Sequence, residues 1–163
     1  METGKSSWRD VALTILLATV VAGTLDMTDA CLWWGITKGV PPERIFQSIA
    51  SGLLGKAAFK GGAQTAALGL ALHFAIMAVM VAVYVLASQR LRVLTRRPVV
   101  MGLAYGAATY IVMNYVVLPL SQVGPHGAFV LPSFINGLAA HLFLVGLTIA
   151  LIAASREKMT STA

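Results

Sequence analysis

Residues 11–34 read VALTILLATVVAGTLDMTDACLWW, an apolar run that ends in two carboxylates and a pair of tryptophans. Val11 to Leu25 are nearly all apolar or small, and a segment of about 20 such residues crosses a bilayer as a helix. Asp26 and Asp29 therefore fall where this helix is still inside lipid. Acidic residues at that depth face protein partners or a water-filled cavity, and they mark functional sites. The sequence predicts partners for both acids elsewhere in the chain.

The composition of the whole chain is that of an integral membrane protein, with the lipid bilayer as its first partner. Of 163 residues, 58% are hydrophobic and only 11% are charged, whereas soluble domains have about 25% charged residues. The net charge of +6 does not indicate nucleic-acid binding, because the basic residues lie between apolar segments without interleaved aromatic residues. The single cysteine, Cys31, excludes an intrachain disulfide and an all-cysteine metal site.

The apolar segments predict an all-α fold with one integral membrane domain over residues 1–163. Four segments are long enough to span a bilayer, at about 10–34, 64–88, 98–120 and 132–154. In the long connection from Gly35 to Gly62, Pro41-Pro42-Glu43 is typical of a helix start. The apolar residues that follow at helical spacing predict an amphipathic helix at about 42–60 on the outer surface. A re-entrant half-helix is the alternative.

The basic residues divide into two groups that the four helices separate. Eight lie before the first helix, between the second and third, and after the fourth: Lys5, Arg9, Arg90, Arg92, Arg96, Arg97, Arg156 and Lys158. Four lie on the other side: Lys38, Arg44, Lys56 and Lys60. Cytoplasmic loops carry the excess of Lys and Arg, which predicts both termini in the cytoplasm. The last link, Ser121 to Pro132, is then a short outer loop with His126 exposed.

Each of the four predicted helices places one polar side chain at a similar depth. At 1.5 Å per residue, Asp26, His73, Asn114 and His141 lie roughly 9–14 Å in from the outer face. This agreement predicts a polar layer inside the bundle. Asp29 shares a face with Asp26 because the two are three residues apart. Asp29 lies about one turn nearer water, so a solvated residue or a cap of the surface helix is an alternative.

Glycines accompany these polar residues at helical spacing. Gly69 lies four residues before His73, and Gly137 four before His141, which predicts a groove beside each histidine where another backbone approaches. A packing face is also predicted on the third helix, where four residues recur at spacings of four: Gly102, Gly106, Tyr110 and Asn114.

Several of these residues also have a purely structural interpretation. Asn114 is typical of an interhelical hydrogen bond, and a membrane histidine can be a structural donor worth about 1 kcal/mol or less. Cys31 is most simply a small packing residue. For Asp26 the functional interpretation is favoured, because an acid within a membrane is costly.

Three functions fit the pattern. A non-catalytic accessory or structural subunit of a larger membrane assembly or homo-oligomer is favoured by the small size and the surface helix. A proton or small-solute pathway lined by Asp26, His73 and His141 is the alternative, because a histidine–aspartate pair changes charge near neutral pH. Third, His73 and His141 could ligate a haem or, with Asp26, a metal in an electron carrier. Because no nucleophile motif, Gly-rich phosphate loop or CxxC is present, we predict no enzyme activity, resident cofactor or metal.

Short matches to a known family occur along most of the chain: Trp34-Gly35, Pro41-Pro42, Arg44, His73, Val83-Tyr84, Asn114 to Leu120, Gly124-Pro125, Leu131-Pro132 and Ala140-His141-Leu142. Together they resemble the YagU-like family of small bacterial inner-membrane proteins. The resemblance implies a four-helix protein of a bacterial inner membrane, and it implies no particular activity. Only His73 and His141 carry over as site residues. Asp26 and Asp29 have no acidic counterpart in the family, a histidine replaces Asn114, and the middle connection is longer in the family.

Overall fold

The computed structural model describes residues 7–123 and 129–161, with side chains up to residue 157. The predictions for Lys5, Lys158 and His126 lie outside this description. The described ranges are helical apart from short links and contain no strand, which confirms the all-α prediction.

Six helices make up the described chain: α1 (Trp8–Lys38), α2 (Pro42–Leu54), α3 (Gly62–Ser88), α4 (Val93–Arg96), α5 (Pro98–Leu120) and α6 (Leu131–Glu157). The helical backbone of α6 continues to Ser161. Four of these helices, α1, α3, α5 and α6, are long and apolar enough to cross a membrane, so the four apolar segments form helices of the predicted kind. α1 runs past its predicted end at residue 34 because the chain closes the helix only at Gly39, where φ is 64°.

α2 is the predicted amphipathic helix, and it is packed along the start of α3. It ends at Leu54, and a 3-10 turn (Gly55–Lys60) completes the segment predicted as one helix over 42–60. Any side chain at Gly69 would collide with the carbonyl oxygen of Phe46. The Gln47 amide also donates a hydrogen bond to the carbonyl oxygen of Gly62 at 3.1 Å. The groove predicted at Gly69 is thus filled by the backbone of α2.

The helix ends gather at two opposite ends of the bundle. At one, which we call the α2 end, the backbone N–H of Gln122 donates to the carbonyl oxygen of Gly52 at 2.9 Å. At the other, the α4 end, the Tyr84 hydroxyl donates to the carbonyl oxygen of Leu94 at 2.9 Å. The start of α1 and the last turns of α3 and α6 also meet there, around Val11 and Ala153. The described members of the two groups of basic residues therefore lie at opposite ends.

The best-packed core lies in the half of the bundle nearer the α4 end. Its largest buried side chains come from α3 and α6: Val81, Tyr84, Val85, Val145 and Ile149. The Tyr84 ring meets the Tyr105 ring of α5 edge-on at 5.0 Å, and the Tyr105 hydroxyl donates to the carbonyl oxygen of Met80 at 2.7 Å. The largest buried side chains of this half are aliphatic or aromatic, and its tyrosine hydroxyls are paired with backbone.

α5 and α6 touch backbone to backbone through glycines. A side chain at Gly106 would collide with the carbonyl oxygen of His141 and would lie 2.7 Å from the Cα of Leu142. Gly102 faces Gly146, where an added side chain would in turn collide with the carbonyl oxygen of Gly102. The two glycines of the packing face predicted on the third helix therefore face α6. Gly146, which lies opposite Gly102, was missing from the prediction.

Candidate functional site

The candidate site lies where α1, α3 and α6 meet, in the half of the bundle nearer the α2 end. The Asp26 carboxylate on α1 interacts electrostatically with His141 on α6, His73 on α3 and Asp29 one turn along α1. All four side chains are half-buried. Three helices thus contribute ionisable side chains to one site, where each interacts electrostatically with Asp26.

His73 is held by a backbone carbonyl on α1. Its Nε2 lies 2.9 Å from the carbonyl oxygen of Gly23. Because a carbonyl oxygen can only accept, Nε2 carries the proton and donates. A Cβ at Gly23 would lie 2.7 Å from the Phe74 ring, so glycine permits this close approach of α1 and α3. In the neutral ring the other nitrogen, Nδ1, keeps its acceptor lone pair.

His141 is held within its own helix by the opposite nitrogen. Its Nδ1 lies 2.9 Å from the carbonyl oxygen of Gly137 and donates to it, which leaves Nε2 as the acceptor in the neutral ring. The ring of Tyr110 on α5 meets the His141 ring edge-on at 5.4 Å. A Cβ at Gly137 would lie 3.2 Å from that tyrosine ring. The close approach predicted at Gly137 is therefore made by a side chain from α5 and not by a backbone.

His141 and Asn114 both lie in π-helical turns. These turns span Ala140–Leu147 in α6 and Met113–Val117 in α5. π-turns inside α-helices occur frequently at functional sites, where they redirect side chains. The Asn114 amide donates to the carbonyl oxygen of Tyr110 on its own helix at 2.9 Å. From the packing face predicted on the third helix, the Tyr110 ring contacts a histidine of the predicted polar layer, His141.

Asp29 has a partner that the sequence interpretation missed. The Asn136 side-chain amide on α6 donates to Oδ2 of Asp29 at 2.9 Å. The sequence signal for this partner was Asn136 itself, a single amide side chain in the apolar start of α6, five residues before His141. With Asn136 included, we call Asp26, Asp29, His73, Asn136 and His141 the polar cluster.

An open groove of about 400 Å³ lies beside the polar cluster at the α2 end. Six residues line it: Trp33, Leu131, Pro132, Ile135, Asn136 and Ala139. Asn136 belongs to both features, because it lines the groove and its amide also bonds to Asp29. The groove and the polar cluster therefore meet at Asn136.

The haem or metal prediction concerns the histidine nitrogens of the polar cluster. Within the described part of the chain, no group of three or more His, Cys, Asp and Glu is arranged to hold a metal ion. Each histidine donates one N–H to a backbone carbonyl and keeps its other nitrogen as an acceptor, a pattern that metal-ligating histidines also show. Ligation by His73 and His141 stays a prediction.

Comparison of the chain with protein family models, with curated proteins and with solved structures found no match. The resemblance to the YagU-like family stays a prediction. The features of this chain that bear on its function are therefore the polar cluster and the groove.

Proposed function

We propose that this protein is a multi-pass membrane protein that moves protons or a small solute through its polar cluster. The observation that supports this most is the position of Asp26, which lies within electrostatic range of both His73 and His141. The sequence alone favoured an accessory subunit. We place the pathway first because three helices contribute ionisable groups to one site.

Each of the two histidines keeps a ring nitrogen that could exchange a proton with Asp26. Each neutral ring donates one N–H to a backbone carbonyl and keeps its second nitrogen as an acceptor. A protonated Asp26 can give its proton to that nitrogen, which leaves a carboxylate beside an imidazolium.

The pathway is closed toward the α4 end in this conformation. Val81, Val145 and Ile149 are almost fully buried there. Thr19 on α1 lies two helical turns from Asp26 in that direction, and its buried hydroxyl has no hydrogen-bond partner among the described residues. We propose that passage past Thr19 requires the helices to move or a homo-oligomer to provide a wider path.

We further propose that both termini face the cytoplasm. Arg90, Arg92, Arg96 and Arg97 crowd the short link at the α4 end, and all four are exposed. An excess of Arg and Lys in short loops favours the cytoplasmic side. The groove then opens to the outer side. A bacterial inner membrane as the location depends on the family resemblance and stays a prediction.

The proposal is tested by proton entry into vesicles reconstituted with the purified chain. A pH-sensitive dye inside the vesicles reports entry under an imposed pH gradient and membrane potential. We expect entry above the protein-free rate, and we expect Asp26→Asn to return it to that rate. Glu43→Gln is the matched control, because Glu43 is an exposed carboxylate on α2 outside the polar cluster. Equal rates for wild type and Asp26→Asn would overturn the proposal.

A non-catalytic subunit of a larger membrane assembly is the second candidate, and α5 favours it. Only 17% of the apolar window of α5 is buried within the bundle, against 39% for α1 and for the fourth span, α6. Another protein chain or lipid can cover the exposed face. The native mass in mild detergent, with identification of co-eluting proteins, separates the cases. Stable co-elution with other subunits would support this candidate, and a small homo-oligomer alone would support the pathway.

A further inference from the structure

We infer that the groove beside the polar cluster binds a lipophilic monovalent cation. Its apolar body would lie against Trp33, Leu131 and Ile135, with its charge toward Asp29. This inference rests on the proposed function, because it names the class of solute that the pathway would carry.

The size and lining of the groove fit a compact apolar body. Its volume of about 400 Å³ lies within the range of roughly 300–1,000 Å³ that small-molecule sites occupy. Five of its six lining residues are apolar or aromatic, and the one polar side chain is Asn136. A small hydrated ion would leave this apolar wall unused.

The charges around the groove favour a cation. The six lining residues include no basic residue, and the Asn136 amide that lines the groove is 2.9 Å from the Asp29 carboxylate. Asp26 lies one turn deeper and interacts electrostatically with Asp29. With both histidines neutral and Asp26 protonated, the polar cluster carries the negative charge of Asp29 alone. An anion in the groove would face repulsion from that charge.

Trp33 adds a specific attraction for a cation. Its indole lies in the groove wall, on the same α1 face as Asp26 two turns away. The face of a tryptophan ring attracts a desolvated cation more strongly than the other aromatic rings do. The groove wall thus carries an aromatic ring, and Asp29 lies behind the wall as the hydrogen-bond partner of Asn136.

The same acids hold both the cation and the exchangeable proton, so the two compete. A cation beside Asp29 raises the cost of a second positive charge at Asp26 or on a histidine. Its binding should therefore release a proton from the polar cluster, and a proton should weaken its binding by the same factor. This competition would couple movement of the cation to a counter-movement of protons.

The probes are tetraphenylphosphonium and tetraphenylborate, which share one shape and carry opposite charges. Equilibrium dialysis of the purified full chain in detergent, corrected for protein-free micelles, measures their binding. We expect the phosphonium to bind at least about tenfold more tightly, a difference of about 1.4 kcal/mol. Equal binding of the two probes would overturn the inference.

Two pairs of variants locate the site. We expect Trp33→Leu to weaken phosphonium binding about fivefold. Trp34→Leu should leave binding unchanged, because Trp34 is the neighbouring tryptophan but does not line the groove. Asp29→Asn should weaken binding about tenfold, and Glu43→Gln should not. Unchanged binding in both Trp33→Leu and Asp29→Asn would overturn the inference, provided that each elutes at the wild-type native mass.

Proton release gives a readout that does not depend on folding of a variant. A pH indicator in weakly buffered solution should report acidification when phosphonium is added to wild-type protein. Saturable binding without any release would overturn the coupling. Proton flux that depends on Asp26, in a protein that does not bind the phosphonium, would overturn the solute class and leave the proposed function intact. Binding without such flux would overturn the proposed function itself.

Discussion

Asn136 on α6 donates its side-chain amide to Oδ2 of Asp29 on α1 over 2.9 Å. This bond ties together two helices that are far apart in the sequence. It also places the acid next to the wall of the groove, because Asn136 is one of the lining residues. One hydrogen bond thus serves both the packing of the bundle and the position of the candidate site.

Removal of the Asn136–Asp29 bond should destabilise the bundle modestly. Hydrogen bonds between membrane helices average about 0.6 kcal/mol and reach about 1.7 kcal/mol. Because the acceptor is charged, we expect a coupling of about 1–1.5 kcal/mol in a double-mutant cycle of Asn136→Ala and Asp29→Ala. Unfolding by SDS in mixed micelles measures it. Thr28→Val is the control, since Thr28 is exposed and bonds only within its own helix in the structure. A coupling near zero would contradict the prediction.

Gly106→Ala should weaken the contact between α5 and α6. The added methyl group would collide with the carbonyl oxygen of His141, and overpacking of this kind costs about 1–3 kcal/mol. The midpoint of unfolding in detergent reports the loss. Gly35→Ala is the matched control in a membrane helix, because its nearest neighbour, the carbonyl oxygen of Val40, lies 3.8 Å away. Equal midpoints for the two variants would show that the backbones of α5 and α6 do not meet at Gly106.

His73→Leu and His141→Leu should still insert and assemble but should lose proton flux. Each change removes one hydrogen bond to a backbone carbonyl, worth about 1 kcal/mol or less in a membrane. The acceptor nitrogens that exchange protons with Asp26 are lost at the same time. Native mass and vesicle flux are measured on the same preparations. Failure of both variants to assemble would mean that the histidines mainly hold the helices in register.

Gly69→Ala should loosen α2 from α3. The added methyl group would collide with the carbonyl oxygen of Phe46, so α2 must shift outward. Amide hydrogen exchange over Pro42–Leu54 should become faster. Gly52→Ala is the control and lies on α2 itself. Its nearest neighbour is the Cβ of Ser121 at an ordinary 3.7 Å. Unchanged exchange in Gly69→Ala would argue against tight packing of α2.

The helices were predictable because their signals are local. The apolar length of each span is written in consecutive residues, and so are the proline pair before α2 and the spacing of glycines along α5. The break of α2 at Leu54 was not predicted, because apolar periodicity continues to Ala57. There the chain turns at Gly55, where φ is 58°, and follows a 3-10 path toward α3.

The depth of each polar residue was also available from the sequence, since the rise per residue in a helix is constant. Depth does not give the rotation of one helix against another. That rotation turns Asn114 onto the carbonyl of its own helix, brings the Tyr110 ring to His141, and selects Gly146 as the glycine opposite Gly102. The π-turn around His141 changes the facing of side chains in a way that regular spacing does not foresee.

By itself, the sequence determined an all-helical chain with four helices long and apolar enough to span a membrane and a further helix between the first two. These features follow from hydrophobic length and helical rise, which each segment carries alone. Only the tertiary structure decided that Asp29 pairs with Asn136, that His73 and His141 use opposite ring nitrogens to bind backbone carbonyls, and that a groove opens beside Asn136. The reason is physical: a contact between helices depends on how closely their backbones approach, and glycines on two different helices set that distance together.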